Sequence, residues 1–112
     1  MNAGKSWQVY ALHIQDAIAR IRHIQTLGDL TKDVVLYDAT LRNLQTLSEA
    51  TQRLPEPLKA QYPHIPWSQI SGFRNILVHN YLGDIDPLTI AGVVNQHLPG
   101  LGAAVDGMLR GA

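Results

Sequence analysis

Apolar residues recur along most of this chain with the period of an α-helix. Tyr10, Ile14, Ala17, Ile21 and Ile24 alternate spacings of four and three, so they line one face of a helix from about Trp7 to Gln25. Gly28 stops that helix, and Thr31 is placed to cap the next one. Val34, Tyr37, Leu41, Leu44 and Leu47 form the expected buried stripe of a second helix, reaching about Arg53. Pro55 and Pro57 then break the chain and leave room for one short helical turn through Leu58 and Gln61.

A third long helix is predicted over roughly Pro66 to Tyr81, ending near Gly83, with Pro66 suited to a first helical turn. Asp86-Pro87 opens a fourth, expected to stop near His97 because Pro99-Gly100 interrupts it; Leu101 to Leu109 resumes as a final amphipathic turn or two. No stretch sustains period-two alternation, so no sheet is expected. The pattern predicts an all-α fold: an antiparallel bundle of four main helices with short extra turns. With 112 residues the chain suits a single domain over 1–112.

Composition narrows the chemistry. Apolar residues make up 46% and charged residues 16%, a low charge content that fits a surface partly covered by a second copy, hence a homodimer. The formal net charge of zero argues against a protein that coats nucleic acid, though a few cations can still gather in one cleft. With no cysteine, disulfides, thiol nucleophiles and thiolate-bound zinc are excluded. His13, His23, His64 and His97 lack metal-ligand spacing, so no metal and no cofactor is expected. No apolar run approaches the roughly 20 residues that span a bilayer, and no secretory pattern opens the chain; a cytoplasmic protein with no membrane partner is the expectation. Trp67, Tyr37 and Tyr10 read as core or interface anchors.

One segment concentrates polar chemistry. Arg74-Asn75-Ile76-Leu77-Val78-His79-Asn80-Tyr81 reads R-x4-H-x-Y, bringing a guanidinium, an imidazole and a phenol onto one predicted helix. On a wheel, Ile70, Phe73, Ile76 and Leu77 face the core, Asn75 and His79 share the opposite face, and Tyr81 returns to the side of Arg74. Arg74 and His79 lie about 140° apart around the axis, so they converge on a ligand only across the helix or with a second copy beside it. Spacing alone does not assign catalysis, because an Arg and a His on one helix are commonly a solvated face.

The context is more specific than the spacing. Pro63-His64-Ile65-Pro66-Trp67 followed by Gly72-Phe73-Arg74 through Tyr81, with Asp16-Ala17-Ile18, Asp38-Ala39, Arg42-Asn43-Leu44, Glu49-Ala50 and Leu98-Pro99-Gly100-Leu101, resembles the HEPN superfamily and, within it, the HepT-like toxins of prokaryotic toxin–antitoxin pairs. The resemblance covers nearly the whole chain and implies a HEPN-like helical domain acting as a metal-independent endoribonuclease, homodimeric, with RNA (tRNA or mRNA) as substrate. It carries the catalytic roles onto Arg74 and His79, with Asn75 in support. It makes Tyr81 the residue that a nucleotidyltransferase antitoxin of the MntA type modifies with AMP. Asp38 and Glu49, eleven apart on one face of the second helix, are candidates to position the motif or simply surface groups. The family's Gly-Glu-Ala is Ser48-Glu49-Ala50 here, a local change that a small residue should absorb. The rival expectation is a non-catalytic HEPN module that binds nucleotide or docks a nucleotidyltransferase; a purely structural helical adaptor is a third.

Overall fold

The computed structural model describes residues 6–79 and 85–111, with the side chains of Arg74 and of residues 76–79 outside that description. Among the described residues the chain is helical, without strands: α1 (Trp7–Leu27), α2 (Val34–Thr51), the short α3 (Glu56–Ala60), α4 (Trp67–His79) and α5 (Pro87–Arg110). Four long helices with one short helical turn between the second and third match the predicted all-α bundle.

Helix α1 lies at the centre of the packing, against α2 and α5, while α2 also packs on α4. Its apolar positions put Ala11, Ile14, Ala17, Ile18, Ile21 and Ile24 into the core. Helices α1 and α5 run antiparallel, since Gln15 bonds Asp106 near one end and Gln25 bonds Asn95 near the other. Gly28 ends α1 with φ +156° and ψ −165°, a backbone region open essentially to glycine alone. A Cβ there would also stand 3.0 Å from Leu36 Cδ1.

Three expectations need correction. Thr31 does not cap α2: its N–H and hydroxyl both donate to Asp29 Oδ1 inside the connecting turn. Asp33 takes the cap, accepting from the N–H groups of Val35 at 2.9 Å and Leu36 at 3.4 Å. With the helix starting at Val34, its first turn projects past the core, so Val34 is 69% exposed and the buried stripe begins at Leu36. Leu41, expected in that stripe, is half-buried.

The third correction is α5, which runs unbroken through Pro99. The proline removes the hydrogen bond that residue 99 would give to the carbonyl of Asn95. Both residues are exposed, so water can serve that carbonyl. Leu98 and Leu101 on either side are 3% and 0% exposed, and their packing holds the two halves as one helix. No helix among the described residues is long and apolar enough to cross a membrane.

Candidate functional site

The site is built on α4, whose register is set by its contacts with α2. Ile70 is buried and Phe73 half-buried on the inner face, as the wheel predicts. Between them and α2 the contact is partly polar. Thr51 and Ser71 share a hydroxyl–hydroxyl bond of 2.9 Å, and Gln52 Nε2 donates to the Ser71 carbonyl at 3.0 Å. Ser48, where the resembled family carries glycine, is 1% exposed and turns its hydroxyl back onto the Leu44 carbonyl at 2.8 Å. That bond satisfies the serine within its own helix and leaves the seam undisturbed.

Beside this seam lies an apolar cavity of about 220 Å³, bounded by Leu44 and Leu47 of α2, Ile70 and Phe73 of α4, and Leu98 and Leu101 of α5. One wall is therefore the residue directly before Arg74.

Arg74 and His79 stand five positions apart on α4. Their side chains lie outside the described residues, as does Tyr81 altogether. Asn75, the expected supporting residue, is exposed on α4. Asp38 and Glu49 are both exposed on α2. Glu49 lines a shallow groove with Tyr10 and His13 of α1, Thr46 and Ala50 of its own helix, and Arg53 in the turn after it. Tyr10 meets His13 edge-on, with ring centroids 6.1 Å apart. Tyr37 is a core residue, as expected, and its hydroxyl donates to the Ile85 carbonyl just before α5. That bond ties the start of α5 to α2 directly after the segment that follows the motif. No group of three or more His, Asp or Glu among the described residues is arranged to hold a metal ion.

Sequence reasoning passed over one charged residue. Lys59, on α3, has a side chain only 9% exposed. Its ammonium donates to the Thr51 carbonyl at 3.3 Å and pairs with Glu56 Oε2 at 3.0 Å. It lines a polar pocket with Gln52, Glu56, Trp67, Ser68 and Ser71, where α2 ends and α4 begins. The only signal in the sequence was the Glu56–Lys59 spacing directly after Pro55, which reads as an ordinary surface pair.

Comparison with known proteins agrees with this architecture. The family model described as "Ribonuclease HepT-like" matches residues 14–108. A Caldanaerobacter subterraneus subsp. tengcongensis protein named "Putative RNase" is 36% identical over 66 residues, covering 59% of this chain and 58% of that protein. A Methanocaldococcus jannaschii protein named "Gamma-glutamylcyclotransferase and putative RNase" is 31% identical over 100 residues, covering 87% of this chain and 45% of that protein. The "Probable ribonuclease HepT" of Thermococcus cleftensis is 26% identical over 87 residues, 70% of this chain and 78% of its own. The chain spans about half the length of the first of the curated relatives it matches, 58% and 52%. No solved structure is significantly similar to it. The described residues form an all-helical bundle, as expected of a HEPN domain, and its fourth helix carries Arg74 and His79. The chain belongs to the HepT-like ribonuclease family.

Proposed function

We propose that this chain is a metal-independent endoribonuclease, the toxin of a toxin–antitoxin pair, with Arg74 and His79 as its catalytic residues. The observation that carries this reading is Arg74 and His79 five positions apart on α4, with the full R-x4-H-x-Y sequence inside the region matched by the family model. The chemistry needs nothing beyond the chain and its substrate. The ribose 2′-oxygen attacks the adjacent phosphorus, the bond to the 5′-oxygen breaks, and the products are a 2′,3′-cyclic phosphate and a 5′-hydroxyl end. One proton leaves the 2′-hydroxyl and one is delivered to the 5′-oxygen. An imidazole titrating near neutrality suits either transfer. A guanidinium fork holds the non-bridging oxygens and stabilises the charge that builds on them. Asn75 supports the substrate from the exposed face of α4, and Asp38 and Glu49 orient the motif from α2.

A homodimer completes the site by setting two copies of α4 along one groove. Tyr81 is the control point. A nucleotidyltransferase antitoxin of the MntA type would transfer AMP to its phenol oxygen, with pyrophosphate leaving. The added phosphate repels RNA from the cleft on the same logic as phosphorylation.

The test is cleavage of total tRNA and of mRNA by the purified chain in the presence of EDTA, with the 3′ ends examined for cyclic phosphate. Arg74→Ala and His79→Ala should each lose about 10²-fold or more of the rate. Cleavage that survives in His79→Ala overturns the assignment. Incubation with the cognate nucleotidyltransferase and ATP should add AMP-sized mass steps and abolish cleavage, and Tyr81→Phe should block both. A monomer with full activity, seen by light scattering, removes the shared groove.

A further inference from the structure

We infer that the pocket over Lys59 is a second phosphate subsite, holding an RNA phosphate away from the one that is cleaved. The inference rests on the ribonuclease reading above. A charge taken almost wholly out of water needs compensation, and Lys59 takes it from two groups. Its partners are one backbone carbonyl at 3.3 Å and the carboxylate of Glu56, whose own side chain is 87% exposed. An ammonium has three donors, and these two contacts use two of them. Glu56 reaches the ammonium from the solvent side, so its carboxylate is the occupant of the anion position that an RNA phosphate would displace. Its carboxylate stands where a phosphate oxygen would bind.

The rest of the pocket suits that anion. Ser68 is exposed at the rim with a hydroxyl to offer, Ser71 is held in the wall by its bond to the Thr51 hydroxyl, and Gln52 closes one side with its amide committed to the Ser71 carbonyl. Trp67 forms a fixed wall because its indole N–H already donates to the carbonyls of Lys59 and Tyr62, each at 3.1 Å. The pocket opens at the first turn of α4, a helix of 13 residues, whose positive dipole end adds to the attraction. Ser71 precedes Arg74 by three residues, about 4.5 Å along the axis and about 60° around it. A strand that places one phosphate at the motif can therefore run back along α4 and reach Lys59. The subsite also explains how a chain of zero net charge grips a polyanion: the cation is held at one position of the track, out of the bulk solvent.

Binding of a short fluorescein-labelled single-stranded RNA to the His79→Ala protein, followed by anisotropy across a salt series, tests this. Lys59→Met should weaken binding about tenfold, the usual weight of one charge-assisted contact. It should also flatten the dependence of log Kd on log salt by about 0.7, the signature of one lost phosphate contact on a single strand. Glu56→Gln removes the competing carboxylate and should tighten binding; Ser68→Asp, at an exposed position, should weaken it. These two opposite shifts decide the matter even if Lys59→Met does not fold. Unchanged affinity and salt slope in Glu56→Gln and Ser68→Asp, while the otherwise wild-type chain still cleaves RNA, overturn the subsite and leave the ribonuclease reading standing. A wild-type chain that neither binds nor cleaves RNA overturns both.

Discussion

Two seams run along α2 and α1, and they are built differently. The seam of α1 with α2 and α5 is mainly apolar inside, with Ile14, Ile21, Leu101 and Val105 each fully buried, and its side-chain bonds from Gln15 to Asp106 and from Gln25 to Asn95 lie at the exposed rim. Among the described side chains, the seam of α2 with α4 combines an apolar contact through Ile70 and Phe73 with the Thr51–Ser71 and Gln52–Ser71 bonds, and a cavity of about 220 Å³ lies beside it. Dense apolar packing is non-directional and resists change in volume. Hydroxyl and amide bonds contribute less to stability but fix one rotation and one register. The helix that bears the motif is thus placed by direction, and the rest of the bundle supplies the stability that lets it be.

This contrast makes the largest expected effects diverge. Ile21→Ala empties a fully buried position between α1 and its neighbours and should cost about 2–5 kcal/mol in urea unfolding. Cleavage per folded molecule should not change. Ile70→Ala removes a side chain that already faces the cavity and has fewer contacts to lose, so about 2 kcal/mol is expected. Its larger effect should fall on cleavage, about 10²-fold in kcat, because α4 is free to shift by a fraction of a turn. Equal losses of activity per folded molecule in the two variants would break the distinction.

Pro99→Ala probes the strong seam from its solvent side. An interior proline costs a helix about 3 kcal/mol relative to alanine, while proline's restriction of the unfolded chain returns about 0.4–1 kcal/mol. Replacement restores the N–H that can reach the Asn95 carbonyl, so the midpoint of urea unfolding should rise by the equivalent of about 2 kcal/mol. A fall would mean that the proline ring itself packs, against its exposed position. Asp33→Ala comes next, at about 1 kcal/mol of destabilisation, through loss of the bonds to Val35 and Leu36 at the start of the helix that both seams share. Thr31→Ala should cost less, since Thr31 does not cap the helix.

Most of the fold was legible because buried faces follow the helical period, and this period survives in α1 and in α5 on both sides of Pro99. What was not legible were contests between local rules and packing. Proline at 99 signals a break, and only the depth of Leu98 and Leu101 overrides it. Thr31 and Asp33 are both good caps by composition, and the turn around Asp29 decides between them. Lysine reads as surface, so nothing in the pattern marked Lys59 as buried. At the site, spacing placed Arg74, Asn75 and His79 on one helix, which α4 bears out for their positions. Their roles came from resemblance, because chemistry depends on how side chains converge across helices or subunits, and a periodicity along one chain does not encode that.

The smallest effect concerns the turn that feeds both seams. Asp29 is held below the ordinary value of 3.8, first by the Thr31 hydroxyl, then by the Thr31 N–H, with Lys32 adding a weaker pull and desolvation opposing. A carboxyl whose folded pKa is depressed adds stability above its unfolded pKa and loses it as pH falls through the folded value. Asp29→Asn should therefore be slightly less stable than the native chain near neutrality, with the gap closing below pH 3.8 as the native carboxyl also becomes neutral. Urea unfolding followed down the acid limb reads this directly. A gap that stays constant into strong acid would assign the turn's stability to its backbone and leave the carboxylate no part. Because Asp29 belongs to the α1–α2 connection and not to α4, cleavage by the folded variant should match the native rate at every pH where both are folded. A change there would mean that the strong seam, and not only the polar one, sets the position of the motif.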